Sequence, residues 1–90
     1  LFVNGEIKML KIIEAYMEEK INQDENYIVC TFYDIRVKHN LSEKETDEFL
    51  ELSRNKLQNL GYRVYFSGAK YTYNNCNRTV QDNELLVAIK

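Results

Sequence analysis

The residues best suited to chemistry lie in one polar stretch near the carboxyl end of the 90-residue chain, residues Ser67 to Asn83. Lys70 and Arg78 can pair with phosphates, and the hydroxyl and amide groups between them can bond phosphate oxygens or base edges. The alternative is a solvated β-turn with tyrosines packed along a ribbon. The pattern favours a nucleic-acid contact, with these candidate residues: Lys70, Tyr71, Tyr73, Asn74, Asn75, Asn77 and Arg78.

The placement of charge supports this interpretation. The chain is slightly acidic, with a formal net charge of −2, which argues against indiscriminate binding to nucleic acid. From Leu52 to Gln81, however, there is no Asp or Glu. Because Arg54, Lys56 and Arg63 fall in the same window, we expect them to meet phosphates beside the polar stretch.

Catalytic and metal chemistry lack the residues they need. A tyrosine such as Tyr71 or Tyr73 can act as the nucleophile in DNA strand cleavage. That reaction needs a metal held by several histidines, or arginine and histidine around the scissile phosphate. His39 is the only histidine and cannot supply either arrangement alone. Cys30 and Cys76 lack metal-ligand spacing, so we predict two unpaired thiols. The sequence therefore predicts a non-enzymatic protein without metal or cofactor.

Length and hydropathy suggest a single domain, residues 1–90, with little room for a buried pocket of catalytic size. No apolar run is long enough to span a bilayer, and no basic-then-apolar segment marks a signal peptide. We therefore expect a cytoplasmic protein with no membrane contact.

The best-defined element that positions these residues is a helix over Ser42 to Gly61. Ser42 and Glu45 have the spacing of a capping box, and Gly61 suits a left-handed residue after the last turn. The predicted buried stripe contains Phe49, Leu50, Ser53, Leu57 and Leu60.

A shorter helix is predicted immediately upstream, over Thr31 to His39, with Thr31 as N-cap and Asp34 as its capping-box partner. The inward-facing residues of this helix are expected to be Phe32, Ile35 and Val37. The tight link Asn40 to Ser42 joins the two helices.

The remaining elements are a first helix and three strands. The helix pattern runs from Glu6 to about Asn22, after an apolar lead-in, Leu1 to Gly5, that suits a strand or an ordered arm. Its stripe is Leu10, Ile13, Met17 and Ile21, and its face is widened by Ile7, Met9, Ile12 and Tyr16. That wide face either packs under the two later helices or also supports a homodimer. The predicted strands are Tyr27 to Cys30, Tyr62 to Ser67 and Leu85 to Ile89.

In its element order and helix caps, the chain from about Glu6 to Ile89 resembles the winged helix-turn-helix superfamily. The resemblance implies an α+β fold with three helices, a small antiparallel sheet and a C-terminal β-hairpin wing. It also implies DNA binding, often as a dimer, by a regulator or by a replication or transfer accessory protein. The chain is small, and its residue usage is that expected of an AT-rich genome. In both respects it resembles small plasmid or phage proteins of low-GC bacteria, including relaxosome accessory proteins of clostridial conjugative plasmids.

The Ser42 to Gly61 helix departs from that pattern on its outer face. Asp47, Glu48 and Glu51 would repel the phosphates that supply most of the affinity for DNA. We therefore expect the wing hairpin, and not this helix, to make the main contact with a duplex. The competing hypothesis is a winged-helix protein-interaction module, or a phage-type inhibitor, that docks a partner through the hairpin or the first helix and does not bind DNA.

Overall fold

The computed structural model describes residues 4–90 and has an α+β fold in three layers. Helices form one outer layer, a three-stranded antiparallel sheet lies in the middle, and a two-stranded antiparallel sheet covers the other side. The helices are α1 (Asn4–Gln23), a π-helix (Tyr33–Lys38) and α2 (Glu43–Asn59). The strands are β1 (Tyr27–Thr31), β2 (Arg63–Phe66), β3 (Lys70–Tyr73), β4 (Cys76–Thr79) and β5 (Glu84–Ile89).

Helix α2 begins and ends as its sequence predicts. The Ser42 hydroxyl accepts a hydrogen bond from the Glu45 amide at 3.1 Å, and the Ser42 amide donates to the Glu45 carboxylate at 2.9 Å. This capping box holds the pKa of Glu45 below its usual value, chiefly through the bond from the Ser42 amide. Gly61 has φ +94°, and the amides of Gly61 and Tyr62 donate to the carbonyls of Gln58 and Leu57, which completes a Schellman motif.

The buried stripe of α2 is confirmed except at its end. Phe49, Ser53 and Leu57 are fully buried and Leu50 is half-buried, but Leu60 is 47% exposed. Leu60 is the C-cap residue, so the chain has already left the helical path there. Tyr62, two residues later, is the next buried residue.

The predicted short α-helix over Thr31 to His39 is corrected in type and extent. Thr31 belongs to β1, although its hydroxyl does accept a hydrogen bond from the Asp34 amide at 3.2 Å. The Asp34 carboxylate does not complete a capping box. It accepts a hydrogen bond from the Tyr16 hydroxyl at 3.1 Å and lies 3.5 Å from the Lys20 ammonium, so it joins the π-helix to α1.

The wider turn of a π-helix also changes which of its side chains face inward. Ile35 is fully buried, as predicted, but Phe32 and Val37 are exposed. The prediction of inward positions for those two residues was wrong. Val37 lies in the π-helix, where α-helical spacing does not apply, and Phe32 lies before it as the N-cap.

Helix α1 uses most of its wide apolar face in this chain's own core. Ile13, Met17, Met9 and Tyr16 are buried. The other apolar positions are half-buried Leu10, Ile12 and Ile21 and exposed Ile7. The helix begins at Asn4, so the predicted lead-in is helical at Asn4 and Gly5, while residues 1–3 lie outside the described chain.

The three-stranded sheet has the order β1–β5–β2, with β5 in the centre. Leu86 and Ala88 face the helices, and Val87 and Ile89 face the opposite side. Because both faces of β5 are covered, its sequence is a continuous apolar run without alternation. The three predicted strands correspond to β1, β2 and β5, and each is confirmed within two residues at each end.

The chain between β2 and β5 has its tyrosines packed along a ribbon, as the alternative interpretation of the polar stretch expects. It forms the antiparallel pair β3–β4, which folds back over the Val87 and Ile89 face of the sheet. Within residues 4–90, neither long helix has the length and apolar character needed to cross a membrane.

Candidate nucleic-acid interface

The candidate interface is built on strands β3 and β4 and the turn between them, residues 70–79, which we call the ribbon. Tyr73 pairs with Cys76, and Asn74 and Asn75 connect them with φ +50° and +63°. Two successive positive φ values define a type I′ turn, which matches the twist of a two-residue hairpin. Asparagine tolerates this conformation better than other side-chain-bearing residues, so the two asparagines set the register of the ribbon.

The inner face of the ribbon packs against the sheet through aromatic rings. Tyr73 stacks on Tyr27 of β1 with ring centroids 4.5 Å apart, and Tyr71 stacks on Tyr65 of β2 at 5.5 Å. The hydroxyls of Tyr71 and Tyr27 are 2.7 Å apart and share a hydrogen bond. We call these four residues the tyrosine cluster; together with Val80, Val87 and Ile89 they form a second core on this side of the sheet.

Burial gives Tyr71 a packing role. Its side chain is only 6% exposed, and desolvation, followed by its bond with Tyr27, raises the pKa of Tyr71 to about 12. Tyr73 is half-buried. Of the two tyrosines predicted to contact nucleic acid, Tyr71 is thus enclosed and Tyr73 is partly accessible.

Arg78 is held by the same rings while it remains at the surface. Its guanidinium carbon lies 5.8 Å from the ring centroid of Tyr27 and 5.9 Å from that of Tyr73. The proximity of the Tyr27 hydroxyl is the main cause that raises the pKa of Arg78. Cation–π contacts of this kind orient a guanidinium without neutralising it. Arg78 makes no ion pair with any residue of the described chain.

The outer face of the ribbon is polar. Lys70 pairs in register with Thr79, and Thr72 pairs with Asn77, so these four alternate with the inward-facing residues and point away from the sheet. The Thr72 hydroxyl donates to the Asn77 side-chain carbonyl at 3.0 Å. This bond orients the Asn77 amide and leaves its NH₂ group available to an external acceptor.

The nearest carboxylates along the chain follow the ribbon, at Asp82 and Glu84. Glu84 accepts a hydrogen bond from the Gln81 amide at 2.9 Å and lines a shallow cleft of about 430 Å³ beside Arg78. The outer face itself carries one cation, Lys70, and no acid. Its local charge is therefore positive although the whole chain is acidic.

The other predicted contact residues do not all join this surface. Arg63 is exposed at the start of β2 and, by the alternation of that strand, lies on the ribbon's side of the sheet with Tyr65. Arg54 and Lys56 belong to α2 in the helical layer, on the other side of the sheet. Arg54 also forms an ion pair with Glu51. The positive window in the sequence is thus divided between two faces of the molecule.

Tyr27 is a residue of this site that sequence reasoning treated only as part of a strand. It contacts Tyr71, Tyr73 and Arg78 at once. The available signal was the alternation in β1, where Tyr27 and Val29 share one face and Ile28 and Cys30 the other.

The cysteines differ in environment, and both are free thiols. Cys30 is fully buried, and desolvation raises its pKa to about 12, whereas Cys76 is exposed in β4. Across residues 4–90, no three His, Cys, Asp or Glu side chains are grouped so that they could hold a metal ion.

Comparison of the chain with protein-family models, with curated proteins and with solved structures found no match.

Proposed function

We propose that this protein is a non-enzymatic duplex DNA-binding protein and that the outer face of the ribbon makes the main contact. The observation that carries the proposal is the exposed row Lys70, Thr72, Asn77 and Thr79 on a two-stranded ribbon whose outer face has no carboxylate. A two-stranded ribbon is one of the elements that the major groove admits. Four residues per strand span about 13 Å, which is comparable with the groove width of about 12 Å.

The residues of the ribbon divide into two roles in this proposal. Lys70 pairs with phosphates from the outer face. Arg78 lies on the tyrosine-bearing face but is exposed, and it reaches a neighbouring phosphate from there, while Arg63 extends this contact at the end of the sheet. Asn77, oriented by Thr72, donates its free NH₂ to an acceptor on a base edge, and Asn74 and Asn75 contact the backbone at the turn. The rings of Tyr27 and Tyr73 position Arg78 from behind.

The winged helix-turn-helix assignment is part of this proposal. Two features support it. The elements follow in the order α1, β1, π-helix and capped α2, and β5 lies between β1 and β2 in the sheet. In this assignment the ribbon elaborates the wing and folds back on the sheet. The superfamily's regulators and its replication or transfer accessory proteins, including those of plasmids and phages, are the class that we propose. A homodimer and a protein partner recruited to the DNA site also belong to the proposal.

The acidic outer face of α2 supports the ribbon over the helix as the contact surface. Asp47 and Glu51 are exposed, and Glu51 already holds Arg54 in an ion pair. Like-charge repulsion would oppose insertion of this face beside phosphates.

The test is fluorescence-anisotropy binding to a pool of duplex fragments from the gene's own neighbourhood, at low and near-physiological salt. We expect tight binding to one fragment that persists at the higher salt. Lys70→Ala should weaken this binding and reduce the slope of log affinity against log salt by about 1, because one phosphate contact is lost.

Lys44→Ala is the matched control, since it removes the same charge from α2 in the helical layer. It should leave both affinity and slope unchanged. The proposal fails if no fragment binds above a weak, salt-sensitive background, or if the two alanine variants behave alike.

A further inference from the structure

The π-helix and its N-cap residue Phe32 carry an unusual share of the exposed apolar surface. Five large apolar side chains of the described residues are exposed, and two of them stand apart, Ile7 on α1 and Leu60 at the C-cap of α2. The other three lie within six positions of the sequence: Phe32 is 43% exposed, Tyr33 64% and Val37 54%. We call Phe32, Tyr33 and Val37 the π-helix patch.

The patch is held in place by the structure beneath it. Ile35 is fully buried in the helical core, and Asp34 is bonded to Tyr16 and Lys20 of α1. The Phe32 amide donates to the Asn83 carbonyl at 2.8 Å. The three apolar side chains therefore stay exposed on a segment that is fixed from the inside, which is the arrangement of a preformed binding surface.

The outward charges of the segment are all basic. The Arg36 guanidinium lies 5.5 Å from the centroid of the Phe32 ring, and Lys38 is exposed, while Asp34 is turned inward. Aromatic and arginine side chains are enriched in protein interfaces. A two-fold contact between two copies of this patch would bring the basic side chains of both copies together, which is unfavourable.

The size of the patch favours a short partner. The exposed parts of its three side chains amount to roughly 300 Å², whereas a standard interface between folded proteins buries about 800 Å² on each partner. An extended or helical segment with two or three apolar anchors needs no larger surface.

We propose that the π-helix patch docks a short acidic segment of another protein, with apolar side chains on the patch and carboxylates beside Arg36 and Lys38. The π-helix packs with the helical layer, and the ribbon covers the other face of the sheet. A partner docked here leaves the ribbon free, so this inference does not depend on the proposed DNA contact.

The test is selection of peptides from a phage-displayed random library on the whole protein, followed by anisotropy with the enriched peptides. We expect enriched sequences to combine acidic residues with several apolar ones. The double variant Tyr33→Ser/Val37→Ser should weaken their binding about tenfold or more, and Lys38→Glu should weaken it through charge alone.

The matched control is Ile7→Ser/Leu60→Ser, which removes two exposed apolar side chains elsewhere and should leave peptide binding unchanged. Far-UV circular dichroism checks the fold of each variant. Tyr33→Ser alone, which alters one exposed ring, and Lys38→Glu provide the comparison if the double variant does not fold.

Three results would overturn the inference. One is that no peptide family is enriched, or that enriched peptides bind the double variant as well as the wild type. Another is a dimer in sedimentation equilibrium that the double variant dissociates, which would identify a second copy as the occupant. The third is loss of duplex DNA binding in the double variant, which would assign the patch to the nucleic-acid surface.

Discussion

Arg78 and Tyr71 are opposite each other in the ribbon, and the structure gives them different tasks. Arg78 is exposed and oriented by two aromatic rings, whereas Tyr71 is enclosed beneath it. The sequence predicted both as contact residues because it did not show that the face they share is covered by the sheet at Tyr71 and open at Arg78. Alternation along β3 gives the two faces, but only the packing of the ribbon against Tyr27 and Tyr65 tells which face is covered.

Tyr71→Phe separates packing from contact. The change removes a hydroxyl that shares a hydrogen bond with Tyr27, so we expect the free energy of unfolding to fall by about 1 kcal/mol in urea denaturation. Affinity for a bound duplex should stay within twofold of wild type, about 0.4 kcal/mol. A large loss of affinity at unchanged stability would show instead that Tyr71 touches DNA.

Three buried or partly buried acids make stability sensitive to alkaline pH. Burial raises the pKa values of Cys30 and Tyr71 to about 12, and it also raises that of Tyr16. The folded state therefore keeps protons that the unfolded state loses above about pH 9, so stability falls from there towards pH 12. Urea denaturation between pH 8 and pH 11 measures this. Cys30→Ala should reduce the dependence and Cys76→Ala should not, and equal slopes in both variants would contradict the assignment.

At the scale of elements, local signals were sufficient for α2 and insufficient for the π-helix. The capping box of Ser42 and the left-handed Gly61 depend on residues within one turn, and both are confirmed. The π-helix is joined to α1 through Asp34, which contacts Tyr16 and Lys20, residues far away in the chain. No periodicity in residues 31–39 could have predicted that tertiary contact.

The acidic face of α2 gives a prediction at this scale. Glu48→Gln/Glu51→Gln removes two negative charges and frees Arg54 from its ion pair. We expect duplex affinity to remain equal or to rise, by up to about 1 kcal/mol, because repulsion of phosphates is reduced. Anisotropy titration at fixed salt checks this. A loss of tenfold or more, about 1.4 kcal/mol, would show that α2 reads the duplex through its carboxylates.

At the scale of the whole molecule, the sheet separates two exposed surfaces of different chemistry. The ribbon is polar and positive on one side, and the π-helix patch is apolar with a basic rim on the side of the helices. The order of the three helices and of β1, β2 and β5 could be predicted from the sequence, but β3 and β4 were not predicted as strands. The fold-back of the ribbon could not, because it depends on rings in β1, β2 and β3 meeting across the sheet.

The stretch from Leu52 to Gln81, which has basic residues and no Asp or Glu, is also divided between two sides of the molecule. Arg54 and Lys56 are close in sequence to Arg63 and Lys70, but the sheet lies between the two pairs. One duplex cannot contact both sides of the three-stranded sheet at once. We therefore predict that the duplex contacts the ribbon side alone.

The most direct measurement is a titration of the ¹⁵N-labelled protein with the duplex fragment selected by anisotropy, observed by two-dimensional NMR. We predict that the amide signals of residues 70–79 and Arg63 shift, and that those of α2 and the π-helix stay in place. Shifts centred on α2, or no shifts in the ribbon at saturating duplex, would contradict the claim that the ribbon is the DNA-binding surface.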